Sequence, residues 1–428
     1  MKLKPLFAAA LLVAATNIAS AQKVWTLQEC IDYAMENNIA LQMSQISYQS
    51  GLEDTEQAKA SMLPTVSASS SQGLSNYPSG NNNTYTGSYG INANMTIFNG
   101  GKLRNAYKQA QAYNTIDSLA VEQSKMELKA EITQAYINCL YAKEAVTAAK
   151  STALASQAQR DRGEQMKNAG SISRVDLAQL ESQYYSDNYQ ITVAENSLES
   201  YKLQLKQLLE LDIMEDIEVS EFEASDEEVL AALDPKSTVY ANALENLPQI
   251  KSGEYELQAA ELSQKQAEAG VLPTIGLNAG IGSGNNSVSN DSFGDQLKNN
   301  FNESIGASIS IPIFSARQNR TAINKAKLAY QNAELSRKNT EKTVLKTVES
   351  TYLNAISSQG QFVAAREKEK YAQESYELTS EQFKVGRRNI VELITAQNEL
   401  TNATQSAIQA KYTALLNMRM LDIYQGKL

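Results

Sequence analysis

The sequence predicts a mainly helical protein with a small β part, built from one unit used twice. Three observations carry this. Segments in the two halves of the chain match at fixed offsets. A stretch of about 70 residues has no proline and carries a heptad seam. Four short stretches alternate apolar and uncharged polar side chains.

The duplication organises everything else. Residues 34–66 and 243–275 align without a gap: Glu36-Asn37 falls on Glu245-Asn246, and Leu63-Pro64-Thr65-Val66 on Leu272-Pro273-Thr274-Ile275. Further on the offset lengthens. Ile97-Phe98 falls on Ile313-Phe314, Arg104 on Arg320, Tyr136 on Tyr352 and Gly170 on Gly386. The extra residues fall in the Gly/Asn/Ser-rich stretches 73–84 and 282–300, where loops absorb insertions. The predicted organisation is a leader at 1–21, a first repeat at 22–211, an acidic segment at 212–236 and a second repeat at 237–428. In the acidic segment Ile213, Ile217, Val219 and Phe222 favour a small packed subdomain over a disordered linker.

Each unit reads helix, two strands, very long helix, glycine corner, helix. The first helix is expected over about 26–61. Along residues 99–168, Ile116, Leu119, Gln123, Met126, Ala130, Thr133, Ile137 and Leu140 recur at spacings of 3 and 4. A helix of that length runs about 100 Å. The shorter helices flanking it sum to about the same length, so the expected body is an elongated cylinder. Gly170 and Gly386 are the expected reversal points, each able to take a positive φ after a helix end. The segments around them, NAGSISRVDL and KVGRRNIVEL, are two versions of one corner.

Strands are expected at about 64–76, 84–98, 273–283 and 301–314. In the second, Tyr85, Tyr89, Ile91, Ala93, Met95 and Ile97 share one face, against Thr84, Thr86, Ser88, Asn92, Asn94 and Thr96. A half-buried soluble sheet carries Lys, Glu or Asp on its wet face; here only Glu303 intrudes. Apolar outside and small polar inside is the pattern of a transmembrane barrel. Four strands do not close a barrel, and an open edge in lipid strands its backbone polar groups. Two chains give 8 strands and three give 12. A wide tube of long helices favours three.

Composition narrows the function classes. Lys2 and Lys4, the apolar run Leu6 to Ala15 and Ala19-Ser20-Ala21 read as a secretory leader. The chain has no His, the commonest general base and metal ligand. Nothing resembles a nucleophile–base pair, a metal cluster or a phosphate loop, so neither enzymatic activity nor a cofactor nor a metal is expected. Gly100-Gly101-Lys102 is too short for a phosphate loop and suits a strand-to-helix transition. The net charge of −10 argues against a nucleic-acid partner. Cys30 and Cys139 read as buried small side chains, although an oxidising compartment allows them to pair.

The leader, the duplicated unit, the Leu-Pro-Thr before each barrel segment, Ile-Phe-Asn-Gly-Gly-Lys-Leu at 97–103 and the two glycine corners together resemble the TolC family of outer-membrane efflux proteins. The resemblance covers essentially the whole mature chain. It implies a homotrimer with a 12-stranded barrel in the lipid of the Gram-negative outer membrane. A long α-helical tunnel then extends through the periplasm to a periplasmic adaptor and an inner-membrane pump. It implies an exit duct for drugs and toxic metabolites, or for polypeptides in type I secretion. A soluble periplasmic coiled-coil scaffold is the reading from another class. By position, Pro64 and Pro273 mark where each repeat enters the barrel. Asp176 and Arg388 resemble a constricting charge pair at the periplasmic gate, Arg387 stands beside them, and Glu392 matches an acidic ring. Phe383 stands where some members carry a tyrosine, losing a phenolic hydrogen bond. Thr395 stands where another acidic residue can occur.

Overall fold

The computed structural model describes residues 24–76, 83–220 and 225–427. The expected leader lies outside the described residues. In chain order the elements are β1 (Val24–Trp25), α1 (Leu27–Asn37), α2 (Ile39–Ala60), β2 (Thr65–Asn76), β3 (Asn83–Phe98), α3 (Lys102–Asn168), α4 (Arg174–Leu208), β4 (Glu218–Val219), α5 (Asp226–Val229), α6 (Lys236–Asn246), α7 (Pro248–Ala269), β5 (Thr274–Asn286), α8 (Phe293–Asn299), β6 (Asn302–Ser310), α9 (Gln318–Lys384) and α10 (Ile390–Tyr424). The chain divides into two compact units. One holds residues up to Asn37, Glu131–Ala231 and Ser358–Leu416; the other holds Asn38–Ala130, Ala232–Ser357 and Asn417–Leu428.

The repeat is visible in the helices. α3 and α9 have 67 residues each, and α4 and α10 have 35 each. The helix expected over 26–61 is broken in two. Asn38 turns extended (ψ 126°), and its side chain accepts from the Leu41 amide at 3.1 Å, starting a new helix. In the second copy Leu247 turns extended (ψ 125°) at the matching place. There the cause is Pro248, whose ring disfavours a helical residue before it.

The unit beginning at Asn38 holds a four-stranded antiparallel sheet in the order β2-β3-β5-β6. β6 stops at Ser310, short of the expected 314. Pro312 has no amide hydrogen to continue the ladder, which ends a strand here. β5 runs on to Asn286 because β3 is long enough to pair with it, Thr86 lying opposite Asn286. Two consecutive left-handed residues carry each strand side over into its long helix. They are Gly100 and Gly101 (φ 67° and 82°) in the first copy, and Ala316 and Arg317 (φ 44° and 67°) in the second. The core of this unit gathers Val239, Ala243, Leu247, Val344, Val348 and Leu421.

In the other unit β1 pairs parallel with β4, tying the start of the described chain to the acidic segment. The Tyr136 hydroxyl sits 3.1 Å from the carbonyls of Trp25 and Ser220, fixing this pair against α3. Ile217 and Val219 are buried, but Ile213 is 71% exposed; Phe222 lies outside the described residues. Arg366 of α9 donates to Asp226 at 2.6 Å, and Gln359 to the carbonyls of Val229 and Ala231. Cys30 and Cys139 are both buried and are not joined in a disulfide. Burial pushes the Cys139 thiol up to about 12, which leaves it inert.

Candidate functional site

Two features are candidates for function, one in each unit. The first is the sheet. Its register aligns Val66, Ala93, Ala279 and Ile305 in one row and Ala68, Ile91, Ile281 and Glu303 in the next, all on one face. That face is open, with Ile305 79% exposed. The opposite face aligns Thr65, Asn94, Asn278 and Gly306, then Ser67, Asn92, Gly280 and Ser304. It carries amides, hydroxyls and glycines in these rows and no charge. A side chain at Gly280 or Gly306 would press on Asn92 or Asn278, so those glycines make room for the amides. β2 and β6 are edge strands, each hydrogen-bonded on one side only within the chain. Pro64 and Pro273 stand immediately before β2 and β5, where the preceding helix has ended. Among the described residues no helix is long and apolar enough to cross a membrane.

The second feature is the pair of helical corners. Gly170 and Gly386 both have φ 76°. After α3 the Gly170 amide donates to Lys167 (3.0 Å) and the Ser171 amide to Met166 (2.8 Å). After α9 the Gly386 amide donates to Phe383 (3.0 Å) and the Arg387 amide to Gln382 (2.9 Å). These crossed bonds are the Schellman arrangement, which satisfies the last carbonyls of each long helix.

The next helix begins with reciprocal caps in both copies. The Asp176 amide donates to Ser173 Oγ at 3.1 Å, and the Ser173 amide to Asp176 Oδ2 at 2.9 Å. The Glu392 amide donates to Asn389 Oδ1 at 2.9 Å, and the Asn389 amide to Glu392 Oε2 at 3.0 Å. The two expected gate carboxylates are therefore equivalent capping residues. The amide hydrogen bond from Ser173 holds the Asp176 carboxyl below its usual range. For Glu392 the Asn389 amide comes first and Arg388 adds to it.

Arg388 donates to Glu392 Oε1 at 2.6 Å and to Gln382 Oε1 at 3.0 Å. It and Asp176 are thus engaged separately within one chain, and the expected charge pair is not formed there. Arg387 is exposed. Thr395 bonds back to the Val391 carbonyl at 2.8 Å. Phe383 is 6% exposed and packs with Leu180, Ile390 and Leu393. It joins the two corners through apolar contact rather than presenting a side chain to solvent. The capping signal Ser-x-x-Asp at 173–176 and Asn-x-x-Glu at 389–392 was readable in the sequence.

Comparison with known proteins decides the family. The outer membrane efflux protein family model matches residues 30–210 and 239–426, taking in both repeats. The chain belongs to the outer membrane efflux protein family. Among relatives of this efflux protein, outer membrane protein TolC of Escherichia coli is 24% identical over 96% of this chain and 84% of its own. Outer membrane efflux protein BepC of Brucella suis is 24% identical over 96% and 88%. Solved structures share the fold. CusC superposes with a TM-score of 0.83 at 20% identity, covering 93% of this chain and 91% of that one. The CmeC outer membrane channel of Campylobacter jejuni gives 0.81 at 21% identity, covering 94% and 85%. This efflux protein is an outer-membrane protein with the fold of these channels.

Proposed function

We propose that three copies of this efflux protein close a 12-stranded barrel and form the passive exit duct of a tripartite pump. The observation that carries this is the sheet: one face apolar but for Glu303 near a strand end, one uncharged polar face and, among the described residues, two unpaired edges. In lipid each unpaired edge group costs several kcal/mol, and edge-to-edge pairing of successive chains removes that cost. The tunnel runs from the barrel to the corners, which face a periplasmic adaptor and an inner-membrane pump. The pump selects the cargo, so one duct serves small molecules and, with a different pump, polypeptides. Catalysis has no part in this reading. Asp176, Arg387, Arg388 and Glu392 line the periplasmic mouth, with Arg388 of one chain facing Asp176 of the next.

Outer-membrane fractionation and planar-bilayer recording test the duct together. Heat-sensitive trimers and discrete conductance steps are expected. Monomers released by osmotic shock, with no conductance, would overturn it in favour of a soluble scaffold.

A further inference from the structure

Asp187 of α4 is 6% exposed and has no salt-bridge partner among the described residues. Its contacts are neutral. Gln183 donates to Oδ1 at 2.9 Å and Gln397 of α10 to Oδ2 at 3.2 Å. Gln183 also donates to Asn398 at 3.1 Å. The Ser156 hydroxyl of α3 lies beside the carboxyl. One buried acid thus joins α3 and α4 of the first hairpin to α10 of the second. The equivalent position in the second copy is Ala403, fully buried. The acid therefore occupies a place where the other repeat keeps a small apolar side chain.

The surrounding charges do not compensate it. On α3, Arg160 is paired with Asp161 and lies over the Tyr184 ring of α4, 4.3 Å from its centroid. On α9, the Tyr376 hydroxyl takes the Gln159 amide at 2.8 Å. On α10, Gln397 and Asn398 are uncharged, and Glu399 beyond them is exposed.

Burial without a cation favours a neutral carboxyl and outweighs the neutral donors around it, which favour the charged form. The Ser156 hydroxyl is shared between the Ala153 carbonyl, 3.1 Å away, and the carboxyl, whose charged form it favours. Gln397, 2% exposed, has a buried Oε1 with no partner. Burial accordingly raises the Asp187 pKa.

We propose that Asp187 is a positioning residue whose proton sets how firmly the α3/α4 hairpin packs on α10: neutral, it joins them, and ionised, it loosens them. This packing effect does not rest on the duct reading. The sign follows from the raised pKa. The stabilising effect is full below the ordinary aspartate range. It is lost as pH rises through the raised value.

The test is hydrogen exchange on the purified protein from about pH 4 to about pH 8, corrected for intrinsic rates. Wild-type protection around 180–190 and 393–400 is expected to fall up to about tenfold per pH unit above the ordinary aspartate range, then level off. Asp187→Asn should keep its acid-level protection throughout. Asp187→Ala, matching Ala403, gives a second pH-independent variant if the first folds poorly. A wild-type profile retained in both variants overturns the proposal. Bilayer recording separates the two readings. Conductance with unchanged exchange profiles sinks the latch alone; altered profiles without conductance uphold the latch and sink the duct.

Discussion

Asp176 holds the backbone amide of Ser173 through one carboxylate oxygen, and Arg388, just before α10, holds Glu392 in its first turn. The corner carboxylates therefore build the turns before any gate forms. In the proposed trimer the Asp176 carboxylate would in addition face Arg388 of the next chain. Arg388→Ala and Asp176→Asn should each raise single-channel conductance of the reconstituted protein. Ser173→Ala removes only the cap, at a cost of about 1 kcal/mol to the start of α4, and should leave conductance near wild type. Equal conductance in wild type, Arg388→Ala and Asp176→Asn would remove the charge pair from the mouth.

Acid should act on the corners with the opposite sign to Asp187. The lowered pKa values of Asp176 and Glu392 place their capping contribution above the ordinary carboxylate range. That contribution is lost as pH falls through the lowered values. Exchange protection at 173–177 and 389–393 should hold steady on acidification to about pH 4 and drop below it. Gln at 392 should remove the drop at the second corner only.

Gly170 and Gly386 meet nothing within 4 Å where a Cβ would stand, so their need for glycine is purely conformational. Alanine at either should cost about 1 kcal/mol, read as roughly fivefold faster exchange at that corner. Gly100 differs, because a Cβ there would lie 2.7 Å from Leu272 Cδ1 and 3.2 Å from Ala269 Cβ. Gly100→Ala should lower the yield of folded protein more than either corner variant. Ala316→Gly should raise the melting temperature, since it relieves a left-handed alanine.

Phe383→Ala should open a cavity among Leu180, Ile390 and Leu393 and cost about 3 kcal/mol. Phe383→Tyr buries a hydroxyl in the same cluster. Thermal melts should show the alanine variant far below wild type. If both variants melt as wild type does, the residue does not join the corners.

The duplicated helices and the corners were legible because the chain states them twice. An apolar seam at spacings of 3 and 4, ending in glycine, leaves little freedom in how it folds. The helix break was half visible: Pro248 announces it in the second copy, whereas Asn38 does it in the first by a side-chain cap that resembles any polar helical residue. α8 was hidden in a Gly/Asn/Ser-rich stretch whose composition reads as loop, although Ser292 caps it by accepting from the Asp295 amide. The packing partners of Phe383 and Asp187 were not legible for one reason. Which face of a helix meets a neighbouring hairpin is set by packing between segments far apart in sequence. A period gives the stripe and not its partner.

The neutral face of the sheet has an electrical consequence. In the proposed trimer, asparagine amides, serine and threonine hydroxyls and glycines line the pore through the outer membrane. They solvate cations and anions alike and fix no charge. The barrel itself should then be nearly indifferent to the sign of an ion. A salt gradient across the reconstituted channel would read out the charged mouth alone. Its reversal potential should shift in opposite directions when Arg388 and Glu392 are neutralised singly, whatever happens to conductance.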